Sequence, residues 1–299
     1  MKEKELLVGG MALIEGVMMK SPKRIGIAVR SPEGKIVTKK FTFTSITKKF
    51  KILGLPILRG IVNMIEMMTV GIKALNHSAD VALEEEEREK EEEKKKSVGT
   101  IPLMIFSVIF GIVLAVLLFK FLPFGAATLF EKLFPSLGKG FLFNVVEGLI
   151  KIFIFILYLY LISFMPDIKR VFEYHGAEHK TVSCHERKMK LTVANVKKCS
   201  RFHPRCGTSF VIFILLLSII VYTFIPADMS FWGRFGWRLL LLPVIAGISY
   251  EILRFSAKRN NSWLFKIISA PGLWTQRVTT NEPDAKEIEV AIKALKISL

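Results

Sequence analysis

The stretch FLFNVVEGLIKIFIFILYLYLISFM (Phe141–Met165) holds two charges, Glu147 and Lys151, in an otherwise apolar or uncharged run. Crossing a hydrocarbon layer as a helix takes about 20 such residues. Within that layer the backbone must pair its own N–H and C=O groups, so helix is the default form. Residues four apart share a helix face, so this acid and base can neutralise each other. Three further runs have the same character: Ile101–Phe124, Thr208–Ile225 (closed by Pro226) and Trp237–Phe255. The chain has 299 residues, 51% of them hydrophobic, with a mean hydropathy of +0.42. The pattern predicts a mainly α integral membrane protein with about four transmembrane helices.

Charge placement predicts the topology. The formal net charge is +17. Ten lysines and arginines fall between Pro166 and Gly207, and residues 1–60 are also rich in them. Lys132 and Lys139 alone separate the first two runs, and Arg234 and Arg238 lie between the last two. Short basic loops stay in the cytoplasm. The expectation is a multipass protein of a bacterial cytoplasmic membrane, both termini and the long middle loop inside. The opening MKEKELLVGG lacks the apolar core of a secretory signal.

Outward from these runs, residues 1–50 read as a small cytosolic element. The alternation at Ile25–Arg30, the turn signal SPEG (Ser31–Gly34) and the extended pattern Lys35–Phe43 predict a β-hairpin. The glycine- and methionine-rich segment Gly9–Pro22 ahead of it is neither a clear strand nor a clear helix. Residues 51–80 read as an amphipathic helix in the membrane interface, with a re-entrant segment as the alternative. Residues 81–100, including the charge run Glu84–Lys96, read as a solvated linker. The segments 101–165 and 208–257 hold the paired apolar runs. The tail, 258–299, carries an amphipathic helix through Ile288, Ala291, Ile292 and Leu295.

The chemistry is concentrated in the loop 166–207, which contains four of five histidines and all three cysteines. A cytoplasmic position keeps thiols reduced, favouring a metal site or free thiols over disulfides. His175-Gly-Ala-Glu178-His179 matches H-x-x-E-H, in which two imidazoles one helical turn apart face a single spot. Asp167 is placed to cap the helix carrying them. A divalent metal, zinc above all, supplies a nucleophile near neutral pH by acidifying water, and Glu178 stands where a general base is needed. The plain alternative is an exposed helix with two surface histidines. Glu251, in ISYEILRF, is the distant candidate for a third ligand, or else the partner of Arg254 or another cation. Cys199, His203 and Cys206 form a second constellation. With Cys184 or His185 they make a four-ligand structural site if Pro204–Gly207 turns sharply, or they simply pack the loop.

GGMALIEGVMMKSP, LPILRGI, YHGAEHKTVSCHE, RFHPRCGTSF, ISYE and LWTQRVTTNEPD together resemble the YqhQ-like family of bacterial membrane proteins, catalogued as predicted metal-dependent enzymes. The resemblance extends over nearly the whole chain. It implies His175, Glu178 and His179 as functional positions, with Cys184, His203 and Cys206 next.

Two function classes follow. One is a metal-dependent hydrolase at the cytosolic surface of the lipid bilayer, with a membrane-embedded or lipid-linked substrate. The other is a non-enzymatic biogenesis factor. Its basic face would meet anionic lipid, a ribosome or the translocation machinery, and the His/Cys cluster would be a structural staple. Oligomeric state is not written in these patterns, and no nucleotide-binding loop or dinucleotide fingerprint occurs.

Overall fold

The computed structural model describes residues 8–83, 100–135, 140–226, 228–256 and 263–299; the charge run Glu84–Lys96 lies outside them. The chain opens with an antiparallel meander of four strands, β1 (Gly9–Leu13), β2 (Gly16–Lys20), β3 (Arg24–Arg30) and β4 (Ile36–Thr42). The expected hairpin is β3–β4, with Arg30 opposite Ile36 across the SPEG turn and Gly34 at φ 83°. The segment that resisted reading forms β1–β2, joined by Ile14 and Glu15, the latter at φ 48°. It lacks an apolar–polar alternation because both of its faces are covered. Successive side chains point to opposite faces of a sheet. Val17 and Met19 pack on one side and Met18 on the other.

Helices supply both covers. One is α2 (Leu58–Ala82), reached through the short α1 (Ile46–Lys49) and a 3₁₀ turn. It lays Met67, Val70 and Ala74 over Leu13, Met18, Ile25, Ile27 and Val29. Its other side exposes Ile65, Met68 and Ile72. The other cover is the C-terminal helix α12 (Ala285–Ser298), which buries Ile288, Ala291 and Leu295 against Val17, Met19 and Ala28. Its N-terminus is fixed by a capping box in which Asp284 and Glu287 satisfy each other's backbone donors. The backbones of α12 and β3 meet at Gly26, where a Cβ would stand 2.5 Å from the Ala294 carbonyl oxygen.

The remaining helices are α3 (Thr100–Val116), α4 (Leu122–Leu133), α5 (Phe141–Ile162), α6 (Pro166–Glu186), the short α7 (Val193–Lys197), α8 (Gly207–Tyr222), α9 (Phe231–Leu240), α10 (Leu242–Ser256) and α11 (Trp263–Thr279). A π-helical segment, Leu117–Phe121, joins α3 to α4. Among the described residues, two helices are long and apolar enough to cross a membrane, Phe106–Leu133 and Phe141–Ile162. The pair Phe231–Leu240 and Leu242–Phe255, bent by 41°, makes a third if counted as one span. The sequence predicted about four. The third apolar run yields only the sixteen residues of α8, short of the ~20 that span hydrocarbon. The fourth begins six residues earlier than expected, at Phe231, and breaks at Leu241.

Residues 166–207, expected as a cytosolic loop with the histidine pair on a helix, begin with the 21-residue α6. Pro166 occupies its first turn, where a missing N–H costs nothing. The N-cap is Met165, so Asp167 sits inside the first turn and makes no cap hydrogen bond. There its charge still suits the positive end of the helix dipole. α6 is buried from Tyr174 to Val182, with α12 and β1 packed along it. That burial positions the histidines.

Candidate metal centre

His175 and His179 stand one turn apart on α6, with ring centroids 4.4 Å from each other. Each ring uses Nδ1 on a backbone carbonyl: His175 on Thr279 O at 2.7 Å, His179 on Arg201 O at 2.6 Å. A carbonyl oxygen only accepts, so both Nδ1 atoms carry hydrogen. Both Nε2 atoms are thereby left as the groups available to a ligand. Cys206, the N-cap of α8, brings its Sγ to 3.2 Å from His175 Nε2. The donor atoms of His175, His179 and Cys206 all lie within 4.8 Å of one another. A second-shell carbonyl that fixes tautomer and ring orientation is the usual support of a metal-binding histidine. The donor set of two imidazoles and one thiolate suits zinc and related ions. The three residues could hold a metal ion.

The local electrostatics favour the thiolate. Burial works against charge on Cys206, but His175 and His179 outweigh it and hold the thiol well below its usual range. The free N–H groups at the start of α8 act in the same sense. Burial likewise opposes protonation of His175, yet Cys206, Glu178 and the Thr279 carbonyl raise it to about 9. In the absence of metal, His175 and Cys206 thus each favour the charged form of the other. Glu178 is buried beside them, with Oε2 3.4 Å from His179 Nε2. It packs against Gly10 of β1, where a Cβ would lie 2.7 Å from Glu178 Cγ.

The other residues singled out from sequence are placed elsewhere. His203 is a neighbour, its ring centroid 5.7 Å from that of His179, but its nitrogens are engaged. Nδ1 accepts from the Arg205 N–H at 3.4 Å, so Nε2 carries hydrogen and donates to Glu186 at 3.2 Å. Cys184 and Cys199 pair with each other in the packed core between α6, α7 and α12, and the Cys184 thiol is pushed up to about 11 by burial and then by Cys199. Neither joins the cluster of three. Glu251 is also apart from it, held by both ends of the Arg59 guanidinium, Nε at 2.7 Å. Glu147 and Lys151 do pair, at 3.0 Å and fully buried.

Sequence reasoning overlooked the residues that hold the site in place. Gln276 of α11 clamps the turn before Cys206, accepting from the His203 N–H and donating to the His203 carbonyl, both at 2.8 Å. The Arg201 guanidinium donates to Thr280 O, tying the residue whose carbonyl orients His179 to the one next to Thr279, whose carbonyl orients His175. Gly176 lets the 279–282 backbone reach α6, since a Cβ there would fall 2.0 Å from Asn281 O. The segment TQRVTTNEPD (Thr275–Asp284) carried the signal, being polar where an apolar helix ends, but spacing alone does not join it to residue 175.

A family model described as "Protein of unknown function (DUF1385)" matches residues 55–299. The "Uncharacterized protein YqhQ" of Bacillus subtilis (strain 168) is 37% identical over 291 residues, covering 96% of this chain and 90% of that protein. No solved structure matches. By the length of both matches, the chain belongs to the DUF1385 family.

Proposed function

We propose that this chain is a metal-dependent hydrolase of the bacterial cytoplasmic membrane, with its site at the cytosolic surface. The observation that carries the reading is the pair of Nδ1–H···O=C bonds, which aim both Nε2 atoms at the spot occupied by Cys206 Sγ. Three protein ligands are the number found in catalytic zinc sites, which keep one position open; structural sites close all four. The nearest further imidazole, His203, already spends both nitrogens. A divalent ion held there supplies Lewis-acid chemistry. Glu178 accepts the proton of the attacking water, and its burial beside Gly10 holds the carboxylate in place. The apolar helices Phe106–Leu133 and Phe141–Ile162 would insert in the bilayer, and the proposed substrate is accordingly lipid-linked or membrane-embedded.

The test is elemental analysis of the detergent-purified protein. The wild type should hold about one zinc per chain. His175→Ala with His179→Ala should lose it, and Glu178→Gln should keep it and lose turnover. Stoichiometric zinc in the double variant would sink the assignment.

One observation favours the second reading. Lys39, Lys40, Lys48, Lys49 and Lys51 are all exposed along β4, α1 and the turn that follows, forming a cationic rim. Such a surface attracts anionic lipid or ribosomal RNA, with strong salt dependence. In that case ribosomal or translocation components co-purify at low salt and are released at high salt, and zinc-free protein behaves the same way.

A further inference from the structure

The end of α8 opposite Cys206 gathers charge that the metal centre does not use. Cys206 caps the N-terminus of this helix and Tyr222 is its last residue. Sixteen residues at 1.5 Å rise separate the two by about 24 Å. Around Tyr222 stand Lys120, Lys151 and Arg238, whose cationic groups lie 5.5, 5.1 and 5.1 Å from its ring centroid. Lys151 and Arg238 share one carboxylate, Glu147, each at 3.0 Å. Arg238 Nη2 also donates to Asn144 at 2.7 Å. One turn before Arg238, Arg234 reaches Glu131 only at 3.7 Å. Both arginines stack on Phe124 and Phe143.

Among the described residues this cluster has four cations and two carboxylates. Lys120 has no acid: its Nζ donates to the Tyr222 hydroxyl at 3.1 Å, and that hydroxyl in turn donates to Arg238 O. Arg234 Nε is buried and has no hydrogen-bond partner among the described residues. Lys120 is placed by the π-helical segment Leu117–Phe121, a local departure from α geometry that recurs at functional sites. Glu147, Lys151 and Arg238 are 1–3% exposed and the Arg234 side chain is 11% exposed, so the cluster is largely shielded from bulk water. An uncompensated buried charge is costly, whether the surroundings are protein or lipid. Arginine cannot relieve it by losing its proton.

We infer that this cluster is an anion site taking a phosphate group, either inorganic phosphate or the headgroup of an anionic lipid. Phosphate suits the donors: its several oxygens accept from guanidinium and ammonium groups, and its negative charge opposes an excess of cations over carboxylates. Arg234 Nε and the uncommitted hydrogens of Lys120 are the donors left for it. The cluster lies within the helical unit and would bind its anion whether or not a metal occupies the distant centre.

The full chain in detergent is titrated with sodium phosphate against sodium chloride, and in parallel is reconstituted with phosphatidylglycerol or with phosphatidylcholine. Thermal unfolding and native mass spectrometry are the readouts. One source should give a saturable upward shift and one retained phosphate or phosphatidylglycerol per chain, with no effect from chloride or phosphatidylcholine. A shift with inorganic phosphate assigns a free anion, and a shift with phosphatidylglycerol alone assigns a lipid headgroup. Arg234→Lys keeps the charge but removes the orphaned Nε donor, and should weaken half-saturation about tenfold, as should Lys120→Gln. Lys293→Gln with Lys296→Gln, on the exposed face of α12, should leave it unchanged. The absence of any saturable shift in the wild type, or equal binding by Arg234→Lys and the wild type, overturns the assignment.

Discussion

Gly176→Ala tests whether the second shell, and not the three donors alone, sets metal affinity. The new methyl group would sit 2.0 Å from the Asn281 carbonyl oxygen, and carbon atoms in proteins do not approach backbone oxygen closer than about 3.0 Å. The 279–282 backbone must therefore withdraw from α6 by about 1 Å. Thr279 O lies two residues away and accepts from His175 Nδ1 at 2.7 Å. Carried along, it moves to about 3.7 Å, outside hydrogen-bonding range. His175 then loses the contact that fixes its tautomer and ring plane, which elsewhere costs roughly 10- to 100-fold in metal affinity. Overpacking itself costs about 1–3 kcal/mol of stability. Competition with a zinc chelator measures the affinity, and circular dichroism confirms the fold. Gly111→Ala is the control, because a Cβ there has nothing within 4 Å. Zinc affinity within twofold of the wild type in folded Gly176→Ala protein would refute the second-shell argument.

Three shorter predictions accompany it. In the cobalt-substituted protein, Cys206→Ser should abolish the near-ultraviolet thiolate-to-cobalt band, while Cys184→Ser should leave it intact; a band that follows Cys184 instead would move the site. In metal-free protein, absorbance at 240 nm should rise with pH in separate steps, Cys206 well below 9 and Cys184 at about 11. Thiolate forms as pH rises, so His175→Ala, which leaves burial against the charge, should move the first step upward and leave the second in place. Glu251→Gln should retain zinc, because that carboxylate is committed to Arg59; as both side chains are about a quarter exposed, the stability change should stay within about 1 kcal/mol.

The parts legible in the sequence were those that depend on local period. The apolar runs, the SPEG hairpin, the C-terminal amphipathic helix and the i,i+4 histidines each follow from chain geometry within a few residues. The parts that were not legible depend on contacts distant in sequence. β1–β2 hid because helices cover both faces of the sheet, which erases the alternation that marks a half-exposed strand. The histidine pair marked a helix in the loop 166–207 but not its burial, because the lysines and acids of α6 resemble a solvated face. In the structure Lys180 is buried and spends its ammonium on Lys197 O and Glu282. Cys206 was among the candidates, but only the fold separates it from Cys199. α8 begins at one residue and α7 ends near the other, and their thiols go to different neighbours.

The donors and their supports come from both sides of the apolar helices, and that placement has an energetic consequence. His175 and His179 follow α5, Cys206 begins α8, and the Thr279 carbonyl ends α11. Helices α5, α8 and α11 pack against one another, so these groups converge only when that packing is complete. An ion bound by the native arrangement and not by the unfolded chain stabilises the former by about 2.7 kcal/mol at a hundredfold excess over its dissociation constant. Metal occupancy and the packing of α5, α8 and α11 are therefore one equilibrium. Substitutions that loosen those helices far from His175 should release zinc, and zinc should in turn raise the unfolding temperature of the helical unit.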